Sequence, residues 1–210
     1  MFYIFKEVIK GVRTGVLGGT FDPVHLGHLI LAQEARERLG LEQVLFMPAG
    51  RPWMKDRAIT PAPHRLAMLQ LALEDNLAFV ISRIETDRPG VSYTAETLAD
   101  LSREMPGERL FFLLGWDALE DLPRWKDPES VLALAELVVF PRAGYPTPGL
   151  PDLERLLPGV GKRVHLLEGP IIQISSTEVR RRVREGLSIR YLVPRAVEKY
   201  ILEKGLYKGG

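Results

Sequence analysis

Hydrophobic positions along the chain fall into short, uniformly apolar runs separated by longer segments with helical spacing. The runs predict six strands, at residues 14–18, 43–48, 78–82, 109–115, 136–140 and 170–174. Strands that are apolar on both faces are typical of a parallel sheet covered by helices on each side.

The segments between the strands carry helix signals. Helices are predicted at residues 25–39, from 60–61 onward, at 94–104, directly after 174, and at 194–205. Gly40 is a suitable C-terminal stop for the first. Thr60-Pro61 can cap and start the second, whose apolar positions are Leu66, Leu69, Leu73 and Leu77. Strand followed by helix, repeated, predicts an α/β fold: a Rossmann-like, doubly wound parallel sheet of about six strands with helices on both faces. Residues 142–162, rich in proline and glycine, are predicted to be a loop within the same domain.

Composition narrows the function classes. The 210 residues suit a single domain, 1–210, with residues 1–13 as an N-terminal extension. With 28 basic and 27 acidic residues, the chain has no global charge to attract nucleic acid or an anionic membrane. No cysteine is present, which excludes thiol nucleophiles and disulfides. No apolar run is long enough for a membrane span, and the charged start does not resemble a signal peptide. We therefore expect a cytoplasmic protein, and the oligomeric state, a homo-oligomer included, stays open.

In a sheet of this kind, ligands bind at the carboxyl ends of the strands, so the loops there are the places to examine. The first strand leads into GGTFDPVHLGH, residues 18–28. Gly18 and Gly19 permit a close backbone approach and a positive φ. His25 and His28, three residues apart, share one face of a helix at its positively polarised end. This arrangement favours an anion site.

Other interpretations of this loop remain. It lacks the Gly-Lys-Ser/Thr sequence of a P-loop. A metal site formed by Asp22, His25 and His28 is conceivable, although zinc helices of the hydrolase type space their histidines four apart. A tight turn with two packing histidines is the simplest alternative.

The predicted sixth strand leads into ISSTEVRRRVREG, residues 174–186. Ser175 and Glu178 have the spacing of a capping box. Most of the arginines that follow are interpreted as a solvated helix face. Arg180 differs, because a cation in the first turn or so opposes the helix dipole at a cost of a few tenths of a kcal/mol. A bound polyphosphate would offset that cost.

Three further loops carry candidate groups. After the second strand, Arg51 and Lys55 form a basic loop that could equally be solvated surface. After the fourth strand, Asp117 stands where a helix should begin. Trp125, in a loop between two basic residues, suits stacking on a flat ring. Thr94 begins a helix and so offers backbone N–H groups that no helical carbonyl accepts.

These motifs together resemble one family. GGTFDPVHLGH and ISSTEVR are similar to the paired signature of the T/HxGH nucleotidyltransferases. SYTAET, LGWDAL, LPRW, PRAGYP and the closing GLY extend the resemblance to the bacterial nicotinate-nucleotide adenylyltransferases, over about residues 14–207. The resemblance implies that ATP and nicotinate mononucleotide give deamido-NAD and pyrophosphate in NAD biosynthesis. It also implies Mg²⁺ bound with ATP, and no protein nucleophile.

The resemblance also implies roles for particular residues. The catalytic set is His25, His28 and Arg180. The ATP-binding set is Gly18, Gly19, Thr20, Phe21, Asp117, Ser176 and Thr177. The mononucleotide-binding set is Lys55, Thr94, Trp125, Lys126 and Arg142, with backbone N–H groups of Thr94 and Lys126 meeting the nicotinate carboxylate. No protein metal ligand is implied. The chain departs from the family at residues 52–55, which read PWMK where many members have PPHK, and at Ala49, where asparagine is frequent.

Three other functions remain open at this point. A nucleotidyltransferase acting on pantetheine phosphate or a polyol phosphate would share the first motif. A metal hydrolase would use Asp22 and the two histidines. A catalytically silent regulator would keep only nucleotide binding.

Overall fold

One parallel sheet organises the molecule. The structure, a computed structural model, describes residues 11–51, 59–140, 150–167, 169 and 172–208. The strands are β1 (Arg13–Gly19), β2 (Gln43–Pro48), β3 (Phe79–Ile81), β4 (Arg109–Gly115), β5 (Ala135–Phe140) and β6 (Val164–Leu166). They lie in the order β3-β2-β1-β4-β5-β6, and every neighbouring pair is parallel. The strand order reverses between β1 and β4, which places the ligand crevice at the carboxyl ends of those two strands.

Helices cover both faces of the sheet, as predicted. They are α1 (Leu26–Leu39), α2 (Ala62–Leu73), α3 (Thr94–Glu104), α4 (Trp116–Asp121), α5 (Pro128–Leu134), α6 (Leu150–Leu156), α7 (Ser176–Arg184) and α8 (Arg195–Glu203). Two apolar clusters form the core. Successive residues of β4 alternate between them: Phe111 packs on the α1, α2 and α8 side, and Phe112 on the α3 and α5 side. The Rossmann-like, doubly wound fold predicted from the sequence is thereby confirmed.

The predicted sixth strand is wrong. The strand at that edge of the sheet is β6, and residues 172–174 of the predicted run have no strand structure. β6 is short, pairs only with β5 among the described strands, and leaves Leu166 45% exposed. An edge strand that buries so little does not need a continuous apolar run, so the sequence signal was weak there.

The stretch predicted as a loop contains ordered structure. α6 and a single 3-10 turn, Val160–Lys162, lie within it. Leu153 and Leu157 are buried in the core. The Glu154 carboxylate accepts hydrogen bonds from the backbone N–H groups of Gly159 and Gly161, at 2.7 and 2.9 Å. Because the segment is rich in proline and glycine, its composition predicted a loop and gave no indication of this short helix.

Helix α2 is shorter than predicted. It ends at Leu73, Leu77 is 98% exposed, and its N-cap residue is Pro61 rather than Thr60. The side chain of Asn76 accepts the backbone N–H of Ala78 at 3.1 Å and turns the chain directly into β3. Helix α5 was not predicted, although Asp127 caps it by accepting the Ser130 N–H and is followed by proline.

Within the described part of the chain, no helix is both long enough and apolar enough to cross a membrane.

Candidate active site

The two histidines of the first motif form the start of α1. His25 is the N-cap residue in extended conformation, and its backbone N–H donates to Nδ1 of His28 at 3.2 Å. The two rings stack with centroids 3.6 Å apart. His25 is 6% exposed and His28 is half-buried. Because Nδ1 of His28 accepts a hydrogen bond, the proton of the neutral ring lies on Nε2, which makes Nε2–H a donor.

Phe21 is the strained residue of this loop. Its φ is +49°, in the left-handed region that bulky side chains rarely adopt. Gly18 and Gly19 have no positive φ, so the expectation that they supply it is wrong. A Cβ at Gly19 would lie 3.3 Å from the Phe21 ring. The glycine therefore lets Phe21 fold back against the end of β1, where its ring meets the edge of His28 at 5.0 Å.

The second motif lies against the first. Ser175 caps α7 by accepting the Glu178 N–H at 3.2 Å, but the Glu178 carboxylate pairs with Arg181, so the predicted capping box is half formed. Ser176 Oγ donates to the Pro23 carbonyl at 2.9 Å.

Arg180 joins the same contact between the motifs. Its Nη1 donates to the Asp22 carbonyl at 2.7 Å, and its Nη2 donates to Thr177 Oγ1 at 3.1 Å. The two helix N-termini with their histidines and arginine thus converge on one end of the crevice, as the sequence predicted.

Of the residues predicted for the mononucleotide, Thr94, Trp125 and Lys126 are described by the structure, and they lie toward the other face of the sheet. Trp125 is half-buried and meets Phe112 edge-on at 6.1 Å, and its Nε1 has no hydrogen-bond partner among the described residues. Phe112 in turn lies 3.4 Å from where a Cβ of Gly18 would be. This chain of contacts places Trp125 near the crevice between β1 and β4.

Lys126 and Thr94 flank this region. The Lys126 ammonium donates to the Glu96 carboxylate at 2.7 Å, which raises the pKa of Lys126, and it lies 4.2 Å from the centre of the Tyr93 ring. Thr94 is the first residue of α3.

Asp117 lies in the first turn of α4, directly after β4. A Cβ at Gly115 would lie 2.7 Å from its carboxylate oxygen, so the glycine lets Asp117 turn back over the strand end. The predicted residues Lys55 and Arg142 lie outside the described residues.

Sequence reasoning gave no role to three polar residues beneath these loops, the buried Arg65 and Glu85 and the half-buried Tyr207, and considered Asp22 only as a metal ligand. Asp22 and Arg65 are 1% and 2% exposed. The available signals were an arginine at an inward position of a helix and the motifs that contain Asp22 and Tyr207. Their partners come from distant parts of the chain, which sequence spacing does not show.

Glu85 ties the loop after β3 to α3. Its carboxylate accepts Thr97 Oγ1 at 3.0 Å and is 6% exposed. Burial raises the pKa of Glu85, and hydrogen bonds from Thr97 and Ser92 and the Arg88 charge oppose that rise. The Glu85 carbonyl lies 2.1 Å from where a Cβ of Gly50 would be, so a glycine is required where the loops after β2 and β3 meet.

We expect the free energy of unfolding of Glu85→Gln, measured relative to that of the wild type, to increase as pH rises from about 4 to 7. When folding raises the pKa of a carboxyl, the group's contribution to stability is complete at a pH below its pKa in the unfolded chain. That contribution is lost as pH rises through its pKa in the folded protein. Glutamine does not titrate and so avoids that loss. Urea unfolding of both proteins across this pH range measures the difference.

Glu154→Gln is the matched control, because the pKa of Glu154 is shifted in the opposite direction to that of Glu85. Backbone N–H groups of Gly161 and Gly159 lower the pKa of Glu154, so its contribution is present above the unfolded pKa and lost as pH falls. The loss of stability caused by Glu154→Gln should therefore shrink toward acid. A pH-independent difference between Glu85→Gln and the wild type would contradict the burial argument.

The donor set of this crevice suits an anion better than a metal. His, Arg, Ser and backbone N–H groups converge there, and no three His, Asp or Glu side chains among the described residues are placed to hold a metal ion. Asp22, which a metal site would need, instead accepts a hydrogen bond from the Tyr207 hydroxyl at 2.8 Å.

Fold and site together define a doubly wound α/β protein in which two helix N-termini meet at the crevice of its topological switch point. The sequence model of the cytidylyltransferase-like family matches residues 16–182. The chain belongs to this family, and within it to the group of relatives that carry the name nicotinate-nucleotide adenylyltransferase.

Two such relatives show how close the likeness is. The chain is 48% identical over 198 residues to a probable nicotinate-nucleotide adenylyltransferase of Dehalococcoides mccartyi (strain CBDB1), covering 93% of this chain and 97% of the relative. It is 49% identical over 200 residues to a protein of the same name from Thermomicrobium roseum, covering 93% and 92%.

Solved structures show the same fold at low identity. The nicotinic acid mononucleotide adenylyltransferase of Plasmodium falciparum, complexed with NaAD, matches with a TM-score of 0.78 at 17% identity, covering 93% of this chain and 97% of that one. A putative nicotinate-nucleotide adenylyltransferase from Vibrio parahaemolyticus matches with a TM-score of 0.69 at 16% identity, covering 95% and 97%.

Proposed function

We propose that this protein is a nicotinate-nucleotide adenylyltransferase that converts ATP and nicotinate mononucleotide into deamido-NAD and pyrophosphate, a step of NAD biosynthesis. The observation that carries the proposal is the direct joining of two helix N-termini at one crevice. Ser176 and Arg180 of α7 donate to the carbonyls of Pro23 and Asp22, just before α1. Two such termini suit a substrate with several phosphates, and the names of the relatives supply the substrate pair.

The reaction needs positioned donors rather than a protein nucleophile. An oxygen of the mononucleotide 5′-phosphate attacks the α-phosphorus of ATP, and the bond from that phosphorus to the pyrophosphate oxygen breaks. His25, His28 and Arg180 are proposed to bind the phosphate oxygens and to stabilise the charge that develops on them. The Nε2–H of His28 is well suited to this, because its tautomer is fixed by the hydrogen bond at Nδ1.

The remaining ATP contacts are proposed along the same edge. Backbone groups of residues 18–21 would line the nucleotide, and Asp117 would face the ribose. The Ser176 hydroxyl is already used on the Pro23 carbonyl. Ser176 and Thr177 would therefore act through the backbone N–H groups that open α7.

Mg²⁺ is proposed to arrive with ATP. Mg²⁺ retains several waters and is commonly held through substrate phosphates, which fits a crevice built from hydrogen-bond donors. When bound, the ion would neutralise polyphosphate charge.

The mononucleotide is proposed to lie between α3 and the loop that carries Trp125. The indole would stack on the nicotinate ring, and N–H groups of Thr94 and Lys126 would meet its carboxylate. The Lys126 ammonium is paired with Glu96, so its backbone rather than its charge is assigned to the substrate. Lys55 and Arg142 are proposed for the 5′-phosphate on the family resemblance alone.

The test of this function is pyrophosphate release from ATP with nicotinate mononucleotide, compared with the amide mononucleotide. We expect turnover with the acid and a much lower kcat/KM with the amide. Equal or faster turnover with the amide would reject the acid specificity. No pyrophosphate release with either would reject the transferase in favour of a nucleotide-binding protein without catalysis. A cytoplasmic location and the oligomeric state stay predictions.

We expect Trp125→Ala to raise KM for nicotinate mononucleotide about tenfold and KM for ATP less than twofold. Stacking of a flat ring on an aromatic side chain is worth about 1–3 kcal/mol. Trp125→Phe keeps a flat ring and a contact with Phe112, and should recover most of the affinity. Steady-state kinetics with each substrate varied in turn measures the split. A larger rise in the KM for ATP would reject the stacking role.

A further inference from the structure

Arg65 is a buried cation whose hydrogen bonds all go to loop carbonyls. It projects from α2 and is 2% exposed. Its Nε donates to the Thr60 carbonyl at 2.9 Å, Nη1 to Thr20 at 2.8 Å, and Nη2 to Ala49 at 2.8 Å. One guanidinium therefore holds the loops after β1 and β2 and the segment that leads into α2.

This position determines how the first loop is oriented. In a trans peptide, the carbonyl and the following N–H point in opposite directions. Because the Thr20 carbonyl points at Arg65, the N–H of Phe21 points away from it. Phe21 then adopts its φ of +49°, which costs on the order of 1 kcal/mol or more for a bulky residue unless its surroundings hold it there.

A second contact holds the other side of Phe21. The hydroxyl of Tyr207 donates to Oδ1 of Asp22 at 2.8 Å. Burial and the neighbouring Asp22 charge raise the pKa of Tyr207, so the hydroxyl remains a donor at any physiological pH. Tyr207 belongs to the closing GLY segment, which the proposed chemistry does not otherwise use.

The residue held between these contacts touches a proposed catalytic ring. Phe21 is 1% exposed, and its ring centre lies 5.0 Å from that of His28 in an edge-on contact. A shift of the Thr20–Asp22 backbone would move Phe21, and with it the ring that packs against His28.

We propose that Arg65 and Tyr207 are positioning residues: from the two sides of Phe21 they hold the loop after β1 in its strained form and thereby fix the ring of His28. The catalytic consequence rests on the proposed function. The placement of the ring does not.

The experiment compares Arg65→Lys and Tyr207→Phe with Arg13→Lys. Lysine keeps the charge but has no fork of donors that could hold three carbonyls. The matched control is Arg13, whose Nη1 donates to the Leu39 carbonyl at 2.8 Å at the opposite, amino end of β1. A role in stability alone would make Arg65→Lys and Arg13→Lys behave alike.

Two readouts are measured on each folded variant. The first is steady-state kinetics of pyrophosphate release. The second is the ring resonance of His28 by NMR in histidine-labelled protein, which is easily assigned because the chain has only four histidines. We expect Arg65→Lys to lower kcat about ten- to a hundredfold, and Tyr207→Phe about tenfold, with each KM within about threefold, because a small misplacement of a catalytic group has effects of this size. Both should shift the His28 resonance, and Arg13→Lys should change neither readout.

An unchanged kcat and an unshifted His28 resonance in folded Arg65→Lys would overturn the proposal. Should that variant fail to fold, Tyr207→Phe decides in the same way, since it removes a hydroxyl and no charge. Should the wild type release no pyrophosphate, the proposed function fails. The His28 resonance then still tests the positioning role: a shift supports it and no shift overturns it.

Discussion

Replacing His28 by alanine should lower kcat for adenylyl transfer about a hundredfold or more, the typical loss when one donor to a developing negative charge is removed. The reason lies in the geometry of the α1 N-terminus. The backbone N–H of His25 occupies Nδ1 of His28, which leaves the ring proton on Nε2. Alanine removes that donor, and also the acceptor of the His25 N–H. Pyrophosphate release at saturating concentrations of both substrates measures the effect.

The control is His64→Ala. His64 lies on α2, and its Nδ1 pairs with the Tyr200 hydroxyl of α8 at 2.9 Å. Its replacement should leave kcat within about twofold. Loss of the N-terminal acceptor in His28→Ala should also cost about 1 kcal/mol in the free energy of unfolding, so urea unfolding of both variants accompanies the kinetics. A folded His28→Ala with a kcat within about threefold of the wild type would remove His28 from catalysis.

The general architecture of this protein could be predicted because local signals and tertiary structure agree. Uniformly apolar runs alternating with helical segments permit few arrangements other than a parallel sheet with crossover helices. The bounds of β2, α3 and β4 coincide with the predicted ones. Where burial is slight, the signal fails. None of the three residues of β6 is buried, and the run at 170–174 was predicted in its place because it is more apolar.

The residues of the candidate site also fall into two groups, those that local sequence predicts and those that it does not. Groups that the motifs place at or near a helix N-terminus, such as His25, Asp117 and Ser176, are positioned by local sequence, and the structure places them there. Groups that act across the fold were not. Arg65 contacts carbonyls 16 and 45 residues away in the chain, and Tyr207 reaches Asp22 across 185 residues. Carbonyl acceptors have no sequence signature, since every residue has one. A positive φ in this loop was expected at Gly18 or Gly19 rather than at Phe21 for a related reason: only the folded loop shows which residue is held at a positive φ.

Arg180 carries the second large expected effect. Arg180→Ala should lower kcat/KM for ATP about a hundredfold, close to 2.7 kcal/mol of transition-state stabilisation. Its guanidinium is held by the Asp22 carbonyl and the Thr177 hydroxyl at the end of the crevice, so its charge is already in place before a polyphosphate binds. Such a preorganised charge lowers the barrier rather than merely increasing affinity, so most of the loss should fall on kcat.

Arg184→Ala is the matched control, since Arg184 is an exposed arginine at the last position of the same helix. It should leave kcat/KM within about twofold, which separates the position of Arg180 from the general basicity of α7. The kcat/KM of Arg180→Lys should lie between those of the wild type and the alanine variant. Lysine restores the charge but cannot make both hydrogen bonds of the guanidinium. Activities of Arg180→Ala and Arg184→Ala within about threefold of each other would show that α7 contributes only a diffuse positive field. The proposed role of Arg180 in stabilising charge on the phosphate oxygens would then be withdrawn.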